Sequence, residues 1–199
     1  MATAGYLFNE KPPAGLLVAQ AVGITASTYL FGGNMGISFI SIPAVMLAPA
    51  PLAARQWRKV YDTGKSIGIP LSLISSAAVA YVAYHQDPSS LPFKLNIAAA
   101  ILFPSIVPFT LAFLKPTNDK LFEKETSLAG TSLDDKAAEA GVTSGETTHA
   151  LIDKWAMLNL ARAAITGVGA IFAIWAALDK RETGGYNSVG LTSGANRMG

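Results

Sequence analysis

Residues 155–178 read WAMLNLARAAITGVGAIFAIWAAL, and Arg162 is the only charged side chain among them. The stretch is long and apolar enough to cross a bilayer, which takes about 20 residues as a helix. A charge at that depth costs roughly 2.5–3.5 kcal/mol on insertion scales and normally faces a bundle interior or a wet cavity. At about 100° per residue, Trp155, Asn159, Arg162 and Thr166 fall within about 60° of one another on one face. An aromatic ring, an amide, a guanidinium and a hydroxyl in one stripe suit a polar pocket wall and not a lipid-facing surface.

The rest of the chain repeats the apolar theme. Of its 199 residues, 51% are hydrophobic and 14% charged, against about 25% charged in soluble domains. Charge is absent from Pro12 to Ala54, Ser66 to Gln86, Leu95 to Leu114 and Ala163 to Leu178. These runs predict an all-α, integral membrane four-helix bundle with short interfacial helices. The spans are expected near residues 13–35, 69–86, 93–114 and 155–178, in one domain covering 1–199. A soluble bundle with unusually apolar helices is the alternative fold. The first run is too long for a signal peptide and has Lys11 as its only basic flank, so an uncleaved anchor is expected. Without cysteine there is no disulfide framework, thiol nucleophile or thiolate metal site. A formal charge of +2 with no clustered basic stripe argues against nucleic acid.

Loop charges orient the bundle. The connection after the first span carries Arg55, Arg58, Lys59 and Lys65, and that after the third carries Lys115, Lys120, Lys124, Lys136 and Lys154. The other side has Lys11, Lys94, Lys180, Arg181 and Arg197. The positive-inside rule then puts both long connections in the cytosol and both termini across the membrane. An intracellular membrane such as the endoplasmic reticulum is the expected location.

Leu52 to Gly68 is amphipathic and reads either as an interfacial helix or as a cytosolic extension of the second span. Asp87-Pro88-Ser89-Ser90 signals a tight turn. Residues 127–148 lack aromatics and read as a mobile polar loop, and residues 180–199 as a flexible tail. Gly32-Gly33-Asn34-Met35-Gly36 lacks the Lys-Ser/Thr of a phosphate loop, so close helix packing is the expected use of its glycines. His85 and His149 lie too far apart in the expected fold to share a metal. After Pro108-Phe109-Thr110 comes Lys115-Pro116-Thr117-Asn118-Asp119-Lys120-Leu121. There Pro116 is expected to end a helix, and Thr117 or Asn118 to cap the next.

Three motifs in this order resemble the anthrone oxygenase-like family of small four-helix membrane proteins. They are Trp57-x3-Tyr61-x2-Gly64, Pro108-Phe109-Thr110 through Pro116-Thr117-Asn118-Asp119-Lys120-Leu121, and Trp155-x3-Asn159-x2-Arg162. The resemblance covers about Gly15 to Leu178. It implies a membrane-embedded oxygenase that converts an anthrone-type aromatic polyketide to an anthraquinone with molecular oxygen, in secondary metabolism. The expected partners are the lipid bilayer and an apolar aromatic small molecule, with a homo-oligomer or larger membrane complex left open.

Loss of the acidic central methylene proton of an anthrone gives an electron-rich anion that can pass an electron to oxygen, so no metal or other cofactor is expected. Arg162 would stabilise that anion with its planar fork, and Asn118 and Asn159 would bond its oxygens. Trp57, Tyr61 and Trp155 would stack on its rings, with Phe109 and Thr110 alongside. Tyr61 and His149 are the candidate bases. The alternative is structural: Arg162 bonds carbonyls freed by Pro108 or Pro116, in a non-catalytic subunit of a larger membrane assembly.

Overall fold

A computed structural model describes residues 13–179. The polar lead before them and the tail 180–199, with Lys11, Lys180, Arg181 and Arg197, lie outside the described residues. Four helical rods account for most of the fold: α1 (Ala14–Val45), α2 (Ala50–Tyr84), α3 (Leu91–Ser127) and α4 (Thr148–Leu178). All four are long and apolar enough to cross a membrane, and no strand occurs among the described residues. The protein is an all-α membrane protein. Each rod packs against its neighbours in the chain, and α1 closes against α4, so the four form a ring.

The rods outrun the charge-free runs that predict them. At about 1.5 Å per residue, the 37 residues of α3 extend about 55 Å, well beyond a hydrocarbon core of about 30 Å. The excess collects at one end of the bundle: the start of α2, the end of α3 and the start of α4. Leu52 to Gly68 is therefore the extension of the second span, continuous through Pro70 to Tyr84. Ser90 caps α3 by accepting from the Phe93 amide at 3.1 Å, and Thr147 caps α4 by accepting from the Ala150 amide at 3.3 Å. The Asp87 turn forms as expected, with the Ser90 amide on the Asp87 carbonyl and the Asp87 carboxylate accepting from the amide and hydroxyl of Ser89. Those bonds, the Ser89 amide foremost, lower the Asp87 pKa below the ordinary carboxylate value.

Pro116 does not end a helix. The chain passes through it in one rod, with a π turn at Thr110–Leu114 just before, and Thr117 and Asn118 lie inside the helix without capping it. A matching π turn, Ile37–Ser41, stands two residues before Pro43 in α1. Each proline lacks the N–H that would close an α turn, and the backbone absorbs the loss by widening the turn before it, so the rod continues.

Two apolar layers close the ring. One, at the extended end, holds Ile42, Trp57, Leu114, Leu121, Ile152 and Trp155; the other holds Val79, Ala99, Phe103 and Ala173. Close approach is made at Gly169, where an added Cβ would lie 2.6 Å from the Phe103 ring, and at Gly23, 2.9 Å from Val79. At Gly32, Gly33 and Gly36 a Cβ would meet nothing within 4 Å. The expectation that this glycine run serves packing is corrected: the bundle packs elsewhere.

The polar loop is tied down at Ala129, whose carbonyl accepts from Arg55 at 2.7 Å, at Glu146, which pairs with Lys120 at 3.5 Å, and at Glu139. The Glu139 carboxylate accepts from the amide and hydroxyl of Thr148 at 2.9–3.0 Å and pairs with Lys124 at 2.8 Å. A carboxylate at a helix N-terminus meets free amides and the positive end of the dipole. Burial works against its charge, but the Lys124 and Thr148 bonds outweigh it and lower the Glu139 pKa. His149 Nε2 lies 2.9 Å from the Ala48 carbonyl and ties α4 to the α1–α2 connection.

Candidate active site

Between the two apolar layers lies a polar one, built by α1 and α4. Asn159 is fully buried. Its Nδ2 donates to the Asn34 carbonyl at 2.9 Å and to the Ser38 hydroxyl at 2.8 Å, while Ser38 donates to the Ala156 carbonyl at 3.1 Å. The Asn34 carbonyl sits near the joint between the α and π turns of α1, so the widened turn and the Asn159 amide meet at one place. Arg162 Nη2 donates to Asn159 Oδ1 at 2.5 Å and to Asn34 Oδ1 at 3.2 Å. These acceptors are amides. The alternative in which Arg162 bonds carbonyls freed by Pro108 or Pro116 is corrected, because its partners lie on α1 and on its own helix.

No carboxylate pairs with Arg162 among the described residues; the ion pairs there are Arg58–Asp62, Lys115–Asp119, Lys120–Glu146 and Lys124–Glu139. Its titratable electrostatic neighbour is the phenol of Tyr61. Tyr61 in turn joins an aromatic cluster, with ring centroids 5.5 Å from Trp57 and 5.1 Å from Phe122, while Trp57 stands 6.0 Å from Trp155 edge to face. Trp155 Nε1 donates to Asn118 Oδ1 at 2.9 Å.

Three N–H groups of this region are buried without an acceptor: Asn34 Nδ2, Arg162 Nε and Trp57 Nε1. Buried donors are normally paired, so orphans of one sign in one region call for an explanation. Together with a guanidinium that lacks a counter-charge, they form a site biased toward an anion or a carbonyl oxygen.

A cavity of about 340 Å³ opens between α1 and α2, walled by Tyr29, Gly33, Asn34, Ile37, Gly64 and Gly68 among others. This is within the usual range for ligand pockets, about 300–1,000 Å³. Gly64 and Gly68 keep its α2 wall low opposite Ile37 and Leu30. Of the residues singled out in the sequence, Trp57, Tyr61, Asn118, Trp155, Asn159 and Arg162 stand in linked clusters behind this cavity and do not line it. Phe109 packs against the apolar layer of the extended end, and the Thr110 hydroxyl donates to the Ile106 carbonyl at 2.7 Å. Asn34 and Ser38 were not expected. The available signal was Asn34 itself, an amide in a helix otherwise free of charge. Among the described residues, no three His, Cys, Asp or Glu side chains gather as metal ligands.

A sequence model for the family described as anthrone oxygenase matches residues 57–172. The chain is 30% identical over 179 residues to an anthrone oxygenase of Aspergillus fumigatus, covering 82% of this chain and 94% of that one. It is 30% identical over 166 residues to an anthrone oxygenase of Claviceps purpurea, covering 80% and 86%. With a noranthrone monooxygenase of Aspergillus flavus it shares 26% identity over 159 residues, covering 78% and 71%. No solved structure matches the chain.

Proposed function

The chain belongs to the anthrone oxygenase family, and from that premise we propose that it oxidises an anthrone-type aromatic polyketide to an anthraquinone with molecular oxygen, inside the membrane. The observation that carries this reading is the half-buried Arg162 guanidinium, its Nε covered, held by two amides and by no carboxylate among the described residues, beside orphan N–H donors.

The chemistry closes on its two substrates. A CH2 becomes a C=O, a four-electron oxidation, and O2 supplies one atom to the quinone while the other leaves as water. Anthrone and oxygen give anthraquinone and water, with no outside reductant, so the reading needs no cofactor and takes oxygen as co-substrate. Proton loss from the methylene leaves an anion whose charge rests on the carbonyl oxygen across the ring. Electron transfer to oxygen, recombination and return of the abstracted proton give a carbon-bound hydroperoxide, and loss of water from it forms the second carbonyl. The first of these steps is the one this protein has the means to assist. Arg162 stabilises the developing oxyanion, and Asn159 is its positioning residue. Asn118 acts through Trp155, holding that indole against Trp57 of the ring cluster, which packs beside the polar layer. Of the two candidate bases, His149 is the weaker, since its Nε2 is engaged at Ala48, and Tyr61 is left.

Basic residues Arg55, Arg58, Lys59, Lys115, Lys120 and Lys124 lie on the extended helix ends, which supports a cytosolic position for that end and termini on the far side of an intracellular membrane.

The test is purified protein in nanodiscs, given anthrone with and without oxygen. Quinone should form far faster than in protein-free buffer, one O2 should be consumed per quinone, and 18O2 should label one quinone oxygen. Quinone formation no faster than with heat-treated protein would overturn the reading.

A further inference from the structure

Asn34 lies outside the segment matched by the family model, yet it joins the cavity to the half-buried cation. It is 6% exposed and lines the α1–α2 cavity, its Oδ1 accepts from Arg162, and its Nδ2 is buried with no acceptor. An amide whose oxygen takes a bond from a cation is a stronger donor through its nitrogen, since hydrogen bonds in series polarise one another. We infer that the α1–α2 cavity is the chamber for the flat aromatic ligand, and that Asn34 Nδ2 is the donor to its oxyanion, with Arg162 acting on that oxygen through the Asn34 amide. The inference rests on the reading above for the identity of the ligand but not for the location of its site.

The walls fit that use. Leu30, Ile37, Ile67 and Leu71 give apolar faces, while Gly33, Gly64 and Gly68 leave the width for rings. Asn34 is the buried amide on those walls. Because its Nδ2 is covered, a ligand oxygen reaches it only after a small turn of the amide, which breaks no bond at Nδ2. The cavity opens beside exposed Tyr29 and Ile67, where the α2 span meets its charged extension at Lys59, which suits entry of an apolar ligand at the membrane interface.

Two pairs of variants test this. Asn34→Asp keeps the shape and strengthens the hold on Arg162, but it removes the donor and cancels the positive charge. A purely structural Asn34 would therefore tolerate it. Gly33→Leu fills the chamber from a position where an added Cβ meets nothing, and Gly32→Leu is the control, equally open but off the cavity wall. The probe is anthrone under argon, where it binds without turning over, and the readout is the absorbance of its bound anion across pH. The parent and Gly32→Leu should hold the anion at a lower pH than free anthrone ionises. Asn34→Asp should lose that effect, with anion binding weakened about tenfold or more, and Gly33→Leu should abolish binding. Parent-like anion binding in folded Asn34→Asp, or parent-like binding in Gly33→Leu, would overturn the inference, as would failure of the parent to bind anthrone. If the parent binds the anion and the variants do not, yet no quinone forms in air, the site stands and the oxygenase reading falls.

Discussion

The indole of Trp155 donates to Asn118 Oδ1 at 2.9 Å, with both residues buried, and this bond fastens α3 to α4 across 37 positions of sequence. It forms because α3 does not stop at Pro116: a helix ending there would have turned Asn118 into a cap. Trp57 meets this indole edge to face at 6.0 Å, and Tyr61 and Phe122 pack on Trp57 in turn.

Asn118→Leu leaves the Trp155 N–H buried and unpaired, and the loss should be about 1–3 kcal/mol of stability. Trp155→Phe removes the donor instead. The double variant Asn118→Leu with Trp155→Phe should lose less than the sum of the two, since no orphan remains. Thermal unfolding of the four proteins in one detergent measures the coupling.

Arg162→Lys should fold and lose turnover by about a hundredfold, on the order of 3 kcal/mol, because a point charge cannot match a planar fork held by two amides. Arg162→Ala should lose more, and it strands Asn159 Oδ1 and Asn34 Oδ1. Folding and anthrone turnover are measured on the same preparations. A folded Arg162→Lys with the parent rate would remove the catalytic role, and failure of both variants to accumulate would favour a purely structural role, joining α1 to α4 through Asn34.

Acid should loosen the start of α4. The Glu139 pKa is lower in the fold than in the unfolded chain, so its contribution is complete above the ordinary carboxylate value, about pH 4.3, and fades as the pH falls through the lower folded value. Glu139→Gln should lower the unfolding temperature at neutral pH and flatten its decline below about pH 4. Melting curves of both proteins between neutral and acid pH check the sign.

Glycine positions should divide sharply. Gly169→Ala drives a Cβ to 2.6 Å from the Phe103 ring and should cost about 1–3 kcal/mol through displaced packing. Gly32→Ala meets no neighbour and should be neutral or stabilising by up to about 1 kcal/mol. The same melting assay ranks them.

The helices were legible because charge is excluded from lipid, and the stripe of Trp155, Asn159 and Arg162 because 3.6-residue periodicity survives in any solvent. Asn34 and Ser38 escaped notice because their partners lie more than a hundred residues away, and the glycines around Asn34 pointed to packing. Pro116 departs from the helix-terminator rule because the π turn just before it takes up the missing N–H. The ligand cavity had no local signature, since it depends on which face of α1 meets Gly64 and Gly68.

An i→i+5 turn contains one residue more than the α turn it replaces, so each π turn amounts to a single-residue insertion that the helix has absorbed. Ile37–Ser41 includes Ile40, which is 72% exposed. Removing that residue would close the turn to the ordinary pitch and keep Asn34 and Ile42 on their present faces. The same excision in a regular stretch, at Ala99 for instance, would rotate everything beyond it by about 100°. The two π turns are thus the places where related chains can differ in length by one residue while sharing one bundle, and gaps in an alignment of this family belong there.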